Sequence, residues 1–175
     1  VAMEPDGLSV EDLERQLKAH PNARFLYTIP NFQNPTGVTL SAEKRRAIYR
    51  LACQYDIVIL EDDPYGELRF RGEDLPAIKS MDTEGRVIYC GSFSKVVAPG
   101  LRVAYIVADR ELITRMSRDK AGDDVHTAVL PQILCHRVVT ETDFGAHLKA
   151  LKKVYERKAR LMMECMDRAV VDAAV

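Results

Sequence analysis

The sequence predicts an α/β protein whose mostly parallel sheet is flanked by helices. Short, apolar, β-prone segments alternate with segments of helical periodicity, which is typical of strands joined in parallel by helical crossovers. Residues 57–60 (IVIL) are apolar at every position, as expected of a strand buried on both faces. Reactive polar residues follow three of the strands. Because ligands bind beyond the carboxyl ends of strands in open α/β sheets, we expect these loops to converge on one site.

The bulk composition is that of a folded protein. The chain has 175 residues, 47% hydrophobic and 29% charged, which suits one domain of ordinary size. Its net charge is -1 and its basic residues are spread along the chain, so no nucleic-acid surface is expected. The sequence shows neither a membrane-spanning stretch nor a signal-peptide pattern, and we therefore expect a cytoplasmic protein without a membrane partner.

The cysteines predict no metal site. Cys53, Cys90, Cys135 and Cys165 are scattered, without a C-x-x-C pair or a histidine at metal-ligand spacing. Each lies among apolar residues, so we interpret all four as small core residues in a reducing compartment.

The first half of the chain is predicted to contain two helices, one before and one after a strand. Ser9 is placed to cap the first helix, and residues 25–29 form a β-prone run that Pro30 ends. Ser41 is placed to cap the second helix. The charged run 43–46 at its start is expected to be a solvated face. The apolar positions of this helix predict its inner face: Ile48, Leu51, Ala52 and Tyr55.

The second half adds two strands and a helical region. Residues 86–90 and 103–107 are predicted strands, and helical periodicity begins near Arg110. The last segment predicts one long helix with an apolar face formed by Leu148, Leu151, Tyr155, Ala159, Met162, Met166 and Ala169.

The segment around Lys95 has the most distinctive chemistry. The lysine follows Ser92 and Ser94 directly after a strand, and Arg102 lies seven residues further on. Lysine forms Schiff bases when burial or a neighbouring cation lowers its pKa, and hydroxyls with a guanidinium are natural phosphate donors. The alternative interpretation is a strand followed by a surface loop with ordinary basic residues.

Three motifs together resemble the fold-type I pyridoxal-phosphate enzymes of the aminotransferase class I/II family. The resemblance is greatest to the branch that contains the 2-aminoadipate and aromatic amino-acid aminotransferases, and it covers essentially the whole chain. The motifs, in the family's order and approximate spacing, are Asn34-Pro35-Thr36-Gly37, Asp62-x-x-Tyr65, and Ser92-x-Ser94-Lys95 with Arg102.

The resemblance implies a role for each motif residue in binding pyridoxal 5'-phosphate. Lys95 would carry the cofactor as a Schiff base and move a proton at the substrate. Asp62, the aspartate that matches the family's Asp-x-x-Tyr pattern, would face the pyridine nitrogen. Tyr65 and Asn34 would bind the phenolic oxygen. Taken alone, Asp62 is equally a turn cap, Tyr65 a packed aromatic and Asn34 a turn-former.

The same resemblance implies a phosphate site at Ser92, Ser94 and Arg102. The guanidinium supplies a permanent charge and paired donors that a lysine would provide less well. The competing interpretation makes the serines strand-end residues and the arginine a surface cation.

The resemblance also implies how the chain is organised. Residues 1–142 would form the core of an incomplete cofactor-binding large domain, and residues 143–175 a long helix that leads into a small domain. The chain lacks an initiator methionine and a polar tail, so we expect it to be a piece of a longer protein. The resemblance implies that the full-length protein is a homodimer. The isolated piece is not expected to be a competent enzyme.

The leading hypothesis is an aminotransferase that acts on an α-amino acid and a 2-oxo acid. Another class of protein is the ligand-sensing domain of a GntR/MocR-type transcription regulator, which keeps an aminotransferase-like fold. The intact asparagine of the 34–37 motif favours the enzyme, since such regulators often replace it. A catalytically silent piece of the fold, and other pyridoxal-phosphate reactions such as β-elimination or decarboxylation, remain alternatives.

Overall fold

A computed structural model describes residues 1–173, with side chains described to residue 169. The final two residues of the predicted segment 143–175 lie outside this range. The elements in chain order are β1 (Met3–Glu4), β2 (Gly7–Leu8), α1 (Val10–Ala19), β3 (Phe25–Thr28), α2 (Ala42–Gln54), β4 (Val58–Asp63), β5 (Val87–Ser92), β6 (Ala104–Val107), α3 (Arg110–Asp123), α4 (Val129–Glu141) and α5 (Phe144–Ala173).

The main sheet has the order β3-β4-β5-β6. The first three strands are parallel neighbours, and β6 runs antiparallel to β5. The predicted α/β class with a mostly parallel sheet is confirmed. The last strand reverses because it follows β5 through a loop rather than a full helical crossover, and the amide of Phe93 donates to the carbonyl of Val103 at 3.1 Å within this reversal.

The core lies between one sheet face and helices α1 and α2. Ile59 and Val87 on the sheet and Ile48 on α2 are completely buried. Each such side chain contributes roughly 1.5–3 kcal/mol when it leaves water. The predicted serine caps are present: Ser9 accepts from the amide of Asp12, and Ser41 from that of Lys44. They fix the starts of the two helices that cover this face.

The opposite sheet face is open among the described residues. Phe25 is 63% exposed and Tyr27 is 50% exposed. On β4, Ile59 is buried, but Val58 and Leu60 are only half-buried. The prediction that 57–60 is buried on both faces is therefore wrong for its second face, the one to which Val58 and Leu60 point.

The predicted solvated run 43–46 is wrong at Arg45, which is completely buried. Its position three residues before Ile48 places it on the inner face of α2. Its guanidinium donates to three main-chain carbonyls and one side-chain oxygen, namely those of Leu40, Pro76, Pro30 and Asn31. Glu43 and Arg46 are exposed, as expected.

The cysteine prediction is confirmed in part. All four cysteines are free, and Cys135 on α4 is buried. Cys53 and Cys90 are half-buried, whereas Cys165 is exposed because the whole stretch 161–169 of α5 is exposed. Within the described part of the chain, no cluster of histidine, cysteine and carboxylate side chains is arranged to hold a metal ion. None of the described helices is long and apolar enough to cross a membrane.

Candidate active site

The carboxyl ends of β3, β4 and β5 lie side by side at one edge of the sheet. Thr28 on β3 pairs with Glu61 on β4, and Asp62 pairs with Cys90 on β5. Because these strands are parallel and in register, the three loops that carry the motif residues all leave the sheet at this edge.

The loop after β3 presents Asn34 to solvent. Its peptide bond to Pro35 is cis, and Gly37 adopts a φ of 73° that favours glycine. The side-chain oxygen of Gln33 accepts from both the amide (3.0 Å) and the hydroxyl (2.6 Å) of Thr36. The turn is therefore held by its own side chains, and the Asn34 side chain is not used to form it.

Asn34 and Tyr65 line one cavity of about 660 Å³. The cavity lies between the β3 loop, the 3-10 turn Gly66–Leu68 and helix α5. Most of the other lining residues are apolar: Phe32, Pro35, Leu68, Phe70, Tyr155, Ala159 and Met162. The structure thus brings together the two residues that the resemblance assigns to the same cofactor oxygen.

Asp62 accepts a hydrogen bond from the phenol of Tyr27, with an Oη to Oδ2 distance of 2.6 Å. This bond, with burial, raises the pKa of Tyr27 to about 12, so the phenol is a neutral donor at neutral pH. The neighbouring thiol of Cys90 also stays protonated, because burial and then the charge of Asp62 raise its pKa. Among the described residues, Asp62 has no other side-chain hydrogen-bond partner, which leaves Oδ1 available.

Both carboxylate oxygens of Asp63 accept hydrogen bonds from other residues of the fold. Both of its oxygens lie 3.0 Å from the side-chain amide of Asn31, and Oδ1 also accepts from the main-chain amide of Gly66 at 2.9 Å. The phenol of Tyr89 donates to Oδ2 at 3.4 Å. Because adjacent strand residues point to opposite faces, Asp62 faces the open side and Asp63 the covered side.

A buried polar network lies beneath the site, and the sequence interpretation missed it. Asn31, which is 4% exposed, donates to Asp63 and accepts from Arg45 at 2.7 Å and from Arg69 at 3.0 Å. The guanidinium of Arg69 also lies 4.6 Å from the ring centre of Phe32. The network joins the β3 loop to the β4 loop.

Glu61 is a further missed polar residue and is completely buried. Its two oxygens accept from the amides of Ile78 and Lys79 at 2.7 Å. Burial raises the pKa of Glu61, while these two amides and Arg45 oppose the rise. Its alternation with Ile59 along β4 was the sequence signal that it would point into the core.

Lys95 lies in a short turn after β5. The amides of Val97 and Ala98 both donate to the carbonyl of Phe93, at 2.8 and 3.2 Å. Val96 is buried beneath the turn, while Lys95 itself is exposed. Within the described residues the amine makes no hydrogen bond or ion pair, so it is available to a ligand.

Ser92, Ser94 and Arg102 lie together at the same turn. The amide of Ser94 donates to Oγ of Ser92 at 3.1 Å, and Nη1 of Arg102 donates to Oγ of Ser94 at 3.4 Å and to the carbonyl of Pro99 at 3.2 Å. Arg102 has a φ of 54°, a left-handed conformation that costs an arginine about 1–2 kcal/mol. Hydroxyls beside a guanidinium form a suitable site for a phosphate.

These groups fit the chemical requirements of pyridoxal phosphate. The edge supplies an amine without a partner among the described residues, a carboxylate with an available oxygen, a phenol beside an amide, and a hydroxyl–guanidinium cluster. Each matches one polar group of the cofactor: its aldehyde, ring nitrogen, phenolic oxygen and phosphate.

Comparison with known proteins gives aminotransferases among the relatives of this chain. The chain is 36% identical over 176 residues to aromatic-amino-acid aminotransferase 1 of Thermococcus litoralis, covering 98% of this chain and 42% of the relative. It is 40% identical over 168 residues to the 2-aminoadipate transaminase of Thermus thermophilus, covering 94% of this chain and 42% of the relative. The chain thus spans less than half the length of these relatives.

Solved structures give the same result. Kynurenine aminotransferase of Pyrococcus horikoshii, determined in complex with PMP, superposes with a TM-score of 0.90 at 38% identity, covering 94% of this chain and 42% of that one. The α-aminoadipate aminotransferase of Thermus thermophilus, complexed with N-(5'-phosphopyridoxyl)-L-leucine, gives 0.88 at 38% identity, covering 96% and 43%. The sequence profile of aminotransferase class I and II matches residues 3–174. The chain belongs to the aminotransferase class I and II family.

Proposed function

We propose that the protein containing this chain transfers an amino group between an α-amino acid and a 2-oxo acid with pyridoxal 5'-phosphate bound at Lys95. The observation that carries the proposal is the sheet register. It sets Asp62, whose Oδ1 is available, beside the strand that ends at Ser92 and continues into the lysine turn.

Besides Lys95, three groups of side chains bind and orient the cofactor in this proposal. Ser92, Ser94 and Arg102 bind its phosphate through hydroxyls and a permanent positive charge. Tyr65 and Asn34 donate to its phenolic oxygen from the shared cavity wall. Asp62 stabilises a positive charge at its ring nitrogen. When bound, the cofactor supplies an electron sink for the electrons released at the substrate α-carbon.

Lys95 has two tasks. Its amine would hold the cofactor at the aldehyde carbon, and the same amine, when free, would accept and return the proton at the substrate α-carbon. Exposure of Lys95 on a turn held by main-chain hydrogen bonds supports both tasks, since the backbone stays in place while the long side chain changes partner.

The names of the relatives support a first choice of substrates. Relatives named for aromatic amino acids, 2-aminoadipate and kynurenine all match the chain at 36–40% identity. These amino acids, with a 2-oxo acid as acceptor, are therefore the first pairs to test. The relatives named above are aminotransferases and give no support to the regulator alternative.

The organisation of the whole protein is also a proposal. In this proposal, residues 1–142 form the core of an incomplete cofactor-binding domain, and residues 143–175 lead into a small domain. The chain covers about 42% of its relatives, and the open sheet face supports further chain packing there. The full-length protein is proposed to be a cytoplasmic homodimer without a nucleic-acid partner.

The test is a visible absorbance spectrum of the natural full-length protein with added pyridoxal phosphate. We expect a band that borohydride traps as a stable adduct on Lys95, located by peptide mass. Lys95→Ala abolishes the adduct, whereas Lys149→Ala, at an exposed site on α5, leaves it intact.

An amino acid then separates catalysis from ligand sensing. An aminotransferase converts the band to that of the pyridoxamine form, and a 2-oxo acid restores it. An unchanged band would favour a sensor. Absence of the adduct on Lys95 in the wild-type protein would refute the proposed cofactor site.

A further inference from the structure

We propose that Tyr27 is a positioning residue that holds the Asp62 carboxylate for the cofactor's ring nitrogen. The inference rests on the proposed function of the site, because it concerns the group that Asp62 faces. Tyr27 belongs to none of the three sequence motifs and lies on a different strand from every residue assigned to the cofactor.

The contact follows from the register of β3 and β4. Tyr27 pairs with Leu60, so Asp62 lies two residues further on and on the same face of the sheet. A tyrosine side chain that leans along the strand covers this offset, and its Oη reaches Oδ2 of Asp62 at 2.6 Å. The open face leaves Tyr27 half exposed, so this hydrogen bond, rather than packing, anchors its polar end.

Among the described residues, the phenol of Tyr27 makes the main polar contact with the Asp62 carboxylate. Cys90 is opposite Asp62 on β5, and Tyr65 follows in the next turn. The neighbouring carboxylates Glu61 and Asp63 point to the covered face and are bonded there. No cation among the described residues pairs with Asp62, so Tyr27 is its one described side-chain donor.

One fixed oxygen orients the other. The terminal torsion of an aspartate is soft, so a free carboxylate rotates among many orientations. A short bond to Oδ2 restricts that rotation and leaves Oδ1 for a second partner. A carboxylate held beside a ring nitrogen keeps that nitrogen protonated, and Tyr27 therefore acts on the cofactor through Asp62.

The test is Tyr27→Phe in the natural full-length protein loaded with pyridoxal phosphate. The readout is the pH midpoint of the visible band, which reports the protonation of the nitrogen that links Lys95 to the cofactor. A less protonated ring withdraws less electron density from that nitrogen, so the nitrogen keeps its proton to higher pH. We expect the midpoint to rise by about half a pH unit. Pyridoxal-phosphate affinity is expected to fall roughly threefold.

The matched control is Tyr89→Phe. This substitution removes a phenol that contacts Asp63 on the covered face rather than Asp62. We expect its midpoint to match the wild type, and thermal unfolding of both variants reports whether each remains folded. Equal shifts in the two variants would make the effect structural and overturn the proposal.

A double variant tests whether Tyr27 acts on the cofactor through Asp62. In an Asp62→Asn background, Tyr27→Phe is expected to add no further shift, because the group it acts through is gone. An additive shift there, or an unchanged midpoint in Tyr27→Phe alone, refutes the inference while leaving the proposed function in place. Failure of the wild type to form the band refutes the function instead.

Discussion

The two faces of the sheet use their polar residues in opposite ways. On the covered face, Arg45, Asn31, Glu61 and Asp63 are bonded to one another or to main-chain groups, and no buried side-chain nitrogen or oxygen of the described residues is left without a partner. At the open edge, Lys95 makes no bond to a described residue, and Asp62 has one available oxygen.

This difference distinguishes charged groups that hold the fold together from charged groups that are available to a ligand. Buried charge is stable only when every donor and acceptor is satisfied, so the covered network holds the β3 and β4 loops in fixed positions. Those loops can then carry side chains with unused bonding capacity. The comparison predicts that variants on the covered face lower stability and that variants at the edge lower cofactor binding or activity.

The largest stability effect is expected from Arg45→Ala. It removes four hydrogen bonds and leaves the buried carbonyl of Leu40 without a donor among the described residues. The free energy of unfolding should fall by about 3–5 kcal/mol, measured by urea denaturation of the natural protein. The control Arg46→Ala, one residue on and exposed, should change it by less than about 0.5 kcal/mol. Equal losses would contradict the comparison.

The neighbouring aspartates provide the sharpest test. Asp63→Asn cannot accept from Asn31, Gly66 and Tyr89 as the carboxylate does, so unfolding free energy should fall by about 2 kcal/mol. Asp62→Asn should change stability by less than about 0.5 kcal/mol and reduce the amino-transfer rate at least about 100-fold. Chemical denaturation and single-turnover absorbance measure the two quantities. A reversed pattern would exchange the roles of these residues.

A smaller, pH-dependent effect is expected at Asp82. Burial opposes ionisation, but the ammonium of Lys79 and the amides of Val87 and Arg86 outweigh it and lower the pKa of Asp82 to about 2. Because the pKa of Asp82 is lower in the folded state, its ionised carboxylate stabilises the fold above the unfolded value of 3.8. This stabilisation is lost as pH falls towards 2. The loss should be about 1–2 kcal/mol.

Asp82→Asn provides the measurement for this effect. The difference in unfolding free energy between wild type and variant should be largest above pH 5 and should shrink between pH 4 and pH 2. A difference that stays constant across that range would show that Asp82 does not titrate as proposed.

Much of the fold was predictable because its signals are local. Ser9 and Ser41 were predicted as caps from neighbouring residues alone, and the β-prone runs mark three parallel strands. The three motifs indicated the family, and the comparisons confirm it. Their individual roles remain predictions. Arg45 was misassigned because its charge outweighed its helical position, although the spacing to Ile48 contained the correct signal.

The partners of the site residues depend instead on distant parts of the chain. Tyr27 and Asp62 are 35 residues apart, and Asn31 and Asp63 are 32 apart. The Asp-x-x-Tyr pattern and strand alternation distinguish the adjacent aspartates in the sequence, but neither shows which strand register will place a phenol or an amide beside each one. Helices and strands follow from periodicity within a few residues. The distinction between a saturated and an available carboxylate arises when the parallel sheet brings separate loops to one edge.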